Sequence, residues 1–288
     1  MSESDSSMGD VRLGGLAELL RVIDRLRAPD GCPWDLEQTV ESMAPCLIEE
    51  AFEAVEAIEL GQVQASREEL GDVLLVVALI AKIAEQSGEF DMGQIAEGVA
   101  AKLIRRHPHV FGTTEVSSTA DVLSNWEAIK REERRERKED TSALAGIPTA
   151  LPSLQRAYKI SKKAMATGFA WDSAEGAMEK VEEEACELRE AFDAAGYADG
   201  GDGSGASAAQ RAHLEAELGD LLIAAGFLGR YVGIDPERAT RQALRRFEGR
   251  FRHMEQSLGK EASKADLSTW MTAWRAAKFA RRGAEQQL

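Results

Sequence analysis

Five landmarks occur twice, in the same order, along this chain, and repetition of that kind restricts it to an architecture of two like units. "CPWD" at 32–35 returns as "FAWD" at 169–172, "EEAFE" at 49–53 as "EEACE" at 183–187, and "ELGD" follows in each half, at 69–72 and 217–220. Farther on, Lys102 and Arg106 are matched by Arg246 and Arg250, and "WEAIK" at 126–130 by "WRAAK" at 274–278. A chain of 288 residues is long enough for each half to close its own core. The expected organisation is a disordered N-terminal tail over 1–13, a first domain over 14–135, a linker over 136–150 and a second domain over 151–288.

Both domains read as all-α. Prolines number only seven, and no segment alternates apolar and polar residues with period two. Leu47, Ala51, Ala54, Val55 and Ile58 fall on one helical stripe with Glu50 and Glu53 along its edge, and Gly61 stops that helix. Between its glutamate pair and "ELGD" the second half is 14 residues longer, and the glycine-rich insert at 196–209 reads as a flexible loop. The charge run that begins "REERRERKED" at 131 reads as a solvated helix end, broken by the Gly and Pro that follow.

The segment "ELGDLLIAAGFLG" combines two features that conflict. After Asp220 every side of the helix is apolar or glycine, the pattern of a helix buried all round, yet Glu217 and Asp220 share its first turn. Buried carboxylates are costly unless compensated. Each half also carries an ExxE on the preceding helix: Glu50 and Glu53 join Glu69 and Asp72, and Glu184 and Glu187 join Glu217 and Asp220. Spacing of three puts each pair on one face, and an antiparallel hairpin gathers all four. Such a group repels itself unless a cation sits within it. Oxygen ligands select a hard ion, Mg²⁺ with Mn²⁺ as substitute, and the absence of a His three residues after the Glu argues against iron. The plainer alternative is that acids simply favour helix surfaces and first turns.

Cations accompany the acids. Lys102 and Arg106, or Arg246 and Arg250, lie four apart on one face, and Lys130 or Lys278 lies four after Trp126 or Trp274. That combination suits a ligand with phosphates at one end and an aromatic group at the other, while core packing is the competing role for both tryptophans. His107 and His109 flank a proline at a helix end and read as capping or packing groups; His213 and His253 show no partner by spacing. The second half has Lys180 seven residues before Glu187, where the first half has Cys46 seven before Glu53. A lysine there reaches a phosphate and a cysteine does not.

Fifty acids against 35 bases give a formal charge of -15, which excludes a general nucleic-acid binder. The start "MSESDSSMGD" lacks the basic and apolar regions of a signal peptide and no apolar run reaches membrane-spanning length, so a cytoplasmic protein without membrane partners is expected. Cys32, Cys46 and Cys186 form no CxxC pair and read as small buried residues.

From about residue 14 onward the chain resembles the MazG nucleoside triphosphate pyrophosphohydrolases in their two-domain bacterial form. "GCPWDLEQT", "EEAFEAVEAI", "ELGDVLL", "RRHPHVFG" and "NWEAIKREER" carry the resemblance in the first half, and "GFAWD", "KVEEEACEL", "ELGDLL" and "RRFEGRF" in the second. The resemblance implies helical-bundle domains, Mg²⁺-dependent hydrolysis of (d)NTPs to the monophosphate and pyrophosphate, and a homodimer. It implies Glu184, Glu187, Glu217 and Asp220 as metal ligands and Glu183 as the group that orients or deprotonates water. Lys180, Arg250 and Lys278 would hold phosphates, with Trp274 near the nucleotide; Arg246 stands where family members carry Lys. Glu49, Glu50, Glu53, Glu69, Asp72, Lys102, Arg106, Trp126 and Lys130 form the matching set in the first half. Two rivals share these features: an all-α deoxypyrimidine triphosphate hydrolase, and a helical scaffold without chemistry.

Overall fold

The computed structural model describes residues 3–138 and 140–285, and among them no strand occurs. The chain divides into two compact units, one up to Glu133 and one from Arg134 onward, so the segment expected as a linker falls with the second unit.

The first unit contains α1 (Glu3–Leu26), α2 (Pro33–Glu37), α3 (Val40–Glu59), α4 (Val63–Gln86), α5 (Met92–Arg106) and α6 (Pro108–Phe111), and most of α7 (Thr119–Glu136). Helix α1 already runs through residues 3–13, where the sequence suggests disorder; residues 1 and 2 lie outside the described residues. Extending a helix that has nucleated farther along costs little, so a polar segment without its own apolar stripe still joins it. Boundaries follow local chemistry. Thr39 caps α3 through a reciprocal pair with Ser42, and Asp91 caps α5 in the same way with Gln94. Gly61, at φ +68, ends α3 after its last turn, with Gln62 N–H donating to Ala57 O. Helices α3 and α4 form a hairpin, and α1 lies against α4. Ile23, Met43, Val76, Ala78, Leu79 and Ile83 make the core, with Cys46 and Leu47 packed against it. Arg27 is buried where α1, α2 and α4 converge, its guanidinium donating to Gln86 Oε1 at 2.7 Å and to the Asp35 carbonyl.

The second unit repeats the hairpin. Helix α8 (Ser153–Met165) and helix α9 (Ala174–Ala194) both pack on α10 (Ala208–Tyr231), while α11 (Pro236–Leu258) pairs with α12 (Leu267–Glu285). Gly226 lets α8 approach closely: a Cβ there would stand 2.7 Å from that of Ala157. The insert at 196–209 is not a loose coil. Tyr197 stacks on Phe192 at 5.2 Å, Gly203 sits so close under the tyrosine ring that a side chain would collide with it, and Ala206 is buried. Glycine here serves a close approach as well as chain freedom, and composition does not distinguish the two.

Candidate metal and nucleotide site

In the α9–α10 hairpin, Glu184, Glu217 and Asp220 each offer a carboxylate oxygen, all within 4.8 Å of one another. In the α3–α4 hairpin, Glu50, Glu69 and Asp72 do the same. Two residues on one helix and one on its neighbour are brought together because each hairpin sets its ExxD turn beside its ExxE turn. Glu53 and Glu187 stand outside these convergent threes, yet their charge is felt. Burial raises the Glu187 carboxyl, Glu184 adds like-charge repulsion and Lys180 opposes it. Burial likewise raises Glu50 and Glu69, reinforced by Glu53 and Asp72.

This donor set fits a hard divalent cation. It is all carboxylate oxygen and three acids converge in each hairpin; the carboxyls of Glu50, Glu69 and Glu187 are raised first by burial and then by their like-charged neighbours. Lys180 supplies the nearest compensation in the second unit, pairing with Glu183 at 2.9 Å and Glu184 at 2.7 Å. Hydrogen bonds to Glu184 and then Glu183 hold its ammonium well above the usual lysine range. In the first unit position 46 is a cysteine packed against the core. Glu49 and Glu183 both face solvent.

His213, for which spacing suggested no partner, places Nδ1 at 3.3 Å from Glu217 Oε1, one helical turn away. The i, i+4 relation was present in the sequence all along. Counting the ELGD segments into register puts Ala65 at this position in the first half.

The bases and tryptophans divide differently from the expectation. Arg106 is committed to Glu133, which also binds Arg105 at 2.6 Å; the second contact, Arg106 Nη2 to Glu133 Oε2, is 2.5 Å. Glu133 is buried, so this part of the charge run is not a solvated helix end. Its carboxyl is held down at about 2 chiefly by the hydrogen bond from Arg106, against the cost of burial. The missed signal was a heptad: Glu133 follows Trp126 by seven residues and so shares the inner face of α7. Trp126 packs against His107 with ring centroids 5.6 Å apart, and Lys130 lies 5.9 Å above the indole. Lys102 is half-buried on α5.

On the α11–α12 pair, the Arg250 guanidinium lies 5.5 Å over Trp274, whose ring also meets Phe247 at 5.3 Å. Arg246 and Lys278 are exposed on the same two helices. Among the described residues no ion pair joins these bases to the carboxylates. None of the cysteines is fully buried, and Cys186 is exposed because it points away from α10, between Glu184 and Glu187 on the opposite side of α9.

Residues 38–111 match the MazG nucleotide pyrophosphohydrolase domain, a span that contains the first hairpin and Glu50, Glu69 and Asp72. The chain is also 40% identical over 265 residues to the nucleoside triphosphate pyrophosphohydrolase of Escherichia coli strain K12, covering 90% of this chain and 95% of that protein. The chain belongs to the MazG family. A MazG relative from Thermotoga maritima, named nucleoside triphosphate pyrophosphohydrolase/pyrophosphatase, is 40% identical over 244 residues, 85% of this chain and 87% of its own. The Mycobacterium tuberculosis nucleoside triphosphate pyrophosphohydrolase is 34% identical over 171 residues, 59% of this chain and 49% of its own. The acidic turns at 69–72 and 217–220 lie well inside α4 and α10, which begin at Val63 and Ala208, and not in the first turn of each helix as the apolar pattern suggests.

Proposed function

We propose that this protein hydrolyses nucleoside and deoxynucleoside triphosphates to the monophosphate and pyrophosphate, as a cytoplasmic homodimer acting on free nucleotides, and that the second unit does most of the work. The observation that carries the reading is the convergence of Glu184, Glu217 and Asp220 beside Lys180, in a chain 40% identical to a nucleoside triphosphate pyrophosphohydrolase over nine-tenths of its length. Glu184, Glu217 and Asp220 would hold Mg²⁺, or Mn²⁺ in its place, with Glu187 alongside. The ion supplies positive charge for the triphosphate and makes water more acidic.

The chain's own groups do the rest. Lys180 is poised at the carboxylates and exchanges them for phosphate oxygens when a triphosphate arrives, which releases Glu183 to accept a proton from water or to orient it. Arg250 and Lys278 supply cations for the outer phosphates, with Trp274 near the nucleotide, through approach of the α11–α12 pair to the hairpin; Arg246 is a further cation on that pair. The first unit retains Glu50, Glu69 and Asp72 but has Cys46 in place of the lysine, and its Arg106 is already bound to Glu133. Its role is support for assembly or regulation, with metal binding retained.

The test is paired. Pyrophosphate release from each NTP and dNTP with Mg²⁺ is measured for Glu184→Gln and Glu50→Gln, each confirmed folded by circular dichroism. Glu184→Gln is expected to lose about a hundred-fold or more in kcat and Glu50→Gln less than about three-fold. The reverse pattern overturns the assignment to the second unit. Turnover of a single deoxypyrimidine triphosphate identifies the narrower hydrolase, and no turnover of any triphosphate leaves only a scaffold.

A further inference from the structure

A cavity of about 220 Å³ opens where α8 ends and α9 begins, lined by Ser161, Met165, Phe169, Trp171 and Phe227 among others. Three aromatic rings in so small a space are more than the packing of a helix end requires. Trp171 meets Phe227 at 6.0 Å and Tyr231 at 5.8 Å, both edge to face. The backbone of Trp171 is also fixed: its N–H donates to the Tyr231 hydroxyl at 2.7 Å, and that hydroxyl donates to the Trp171 carbonyl at 3.2 Å. Phe169 stands at the rim with most of its ring in solvent. One polar side chain, Ser161, is buried to 1% exposure, and its hydroxyl has no partner better than Met165 Sδ at 3.8 Å. A buried hydroxyl so poorly satisfied retains capacity for a ligand.

Position ties the cavity to the carboxylates. Phe227 and Tyr231 lie seven and eleven residues after Asp220 on α10, two and three turns along nearly the same line, so Phe227 is about 10 Å along the axis from Asp220. On α9, Gly176 packs under Trp171 and Glu184 lies about two turns farther on, with Lys180 midway. An aromatic pocket, a lysine and a carboxylate triad therefore follow one another along both helices, in the order base, phosphate, metal. In the first unit the positions of Phe227 and Tyr231 are Leu79 and Ile83, both buried in the core.

We propose that this cavity is the nucleobase subsite of the second unit, with Trp171 and Phe227 as its aromatic walls, Phe169 as its outer edge and Ser161 as the polar group that meets the base. The proposal rests on the hydrolase reading of the triad for the identity of its ligand. Stacking on aromatic side chains holds any base by its face, and a single hydroxyl discriminates modestly among base edges, so the pocket accepts both purines and pyrimidines.

The test uses the full-length protein and nucleoside 5′-monophosphates, AMP and CMP, as probes, measured by equilibrium dialysis and by quenching of tryptophan fluorescence. Ala164→Phe, which fills the cavity, is expected to weaken binding of both by about ten-fold or more. Trp171→Phe, a smaller change that serves if Ala164→Phe does not fold, is expected to remove most of the quenching. Wild-type binding and wild-type quenching in the folded variants overturn the proposal and leave Trp274 as the stacking group; failure of the wild-type protein to bind either nucleotide also overturns it. Pyrophosphate release from triphosphates is assayed alongside. Hydrolysis without an effect of the pocket variants rejects the subsite alone, and nucleotide binding in the pocket without hydrolysis rejects the hydrolase reading alone.

Discussion

Glu133 shows how one side chain can be misread from its neighbours in sequence. Surrounded by Arg131, Glu132, Arg134 and Arg135, it looks like part of a solvated run, yet it is buried and receives Arg105 and Arg106 from α5. Removing one member of a buried, charge-assisted group leaves the others unpaired, so Glu133→Gln should destabilise the first unit by about 1–3 kcal/mol at neutral pH. The sign with pH follows from the depressed folded value. The carboxyl titrates at about 2 in the folded chain against an ordinary 4.5, so its contribution is complete above that ordinary value and is lost as pH falls toward the folded one. Thermal unfolding at pH 7 and near pH 3 checks both points: the gap between wild type and Glu133→Gln should narrow in acid, and an unchanged gap would falsify the ion-pair account. The convergence of Glu184, Glu217 and Asp220 was legible because helical spacing puts Glu217 and Asp220 on one face of α10 and Glu184 on the facing edge of α9. That Glu187 and Glu53 stand beside the convergent three depends on rotamers and crossing geometry, which spacing does not encode.

At the scale of elements, α10 is the least well described by its apolar pattern. A helix apolar on every side after Asp220 suggests burial all round, but Leu222 and Ile223 are about half exposed while Ala224, Gly226 and Gly229 are buried. Small residues face the neighbouring helices and large ones face outward, because α8 and α9 come in close only where side chains are small. Gly226→Ala therefore has two opposing effects: better helix propensity, about 1 kcal/mol, and collision with Ala157. The collision involves a short side chain on a packed helix that cannot swing aside. The net expectation is destabilisation by about 1–2 kcal/mol, read as a lower midpoint in urea denaturation, whereas a rise in midpoint would show that α8 shifts freely. The α9–α10 connection follows the same logic, since its glycines close over Tyr197.

For the whole molecule, both hairpins leave large apolar side chains open. In the first unit these include Ile48, Phe52, Ile58, Leu70 and Leu74, and in the second Leu218, Leu222 and Ile223. Apolar faces of this kind mark surfaces that become covered, and the exposed positions share helices with the carboxylates. The homodimer proposed above would cover them. Leu222→Asp places a charge on that face without touching Glu217 or Asp220, and sedimentation equilibrium is expected to show its mass falling from dimer toward monomer. A dimer as tight as wild type would move the interface elsewhere. No helix among the described residues is long and apolar enough to cross a membrane, so these faces are not read as membrane spans.

The sequence by itself determined the duplicated all-α plan and the spacing of the acidic turns, because both depend on local periodicity. The tertiary structure decided which acids converge, that Arg106 belongs to Glu133, that His213 reaches Glu217, and that Phe169, Trp171 and Phe227 enclose one cavity. Apart from the His213 turn, these join residues distant along the chain, and their distances are fixed by how closely two helices pack. That closeness is set by side chains as small as Ala157 and the missing Cβ of Gly226, whose effect on packing has no periodic trace in the sequence.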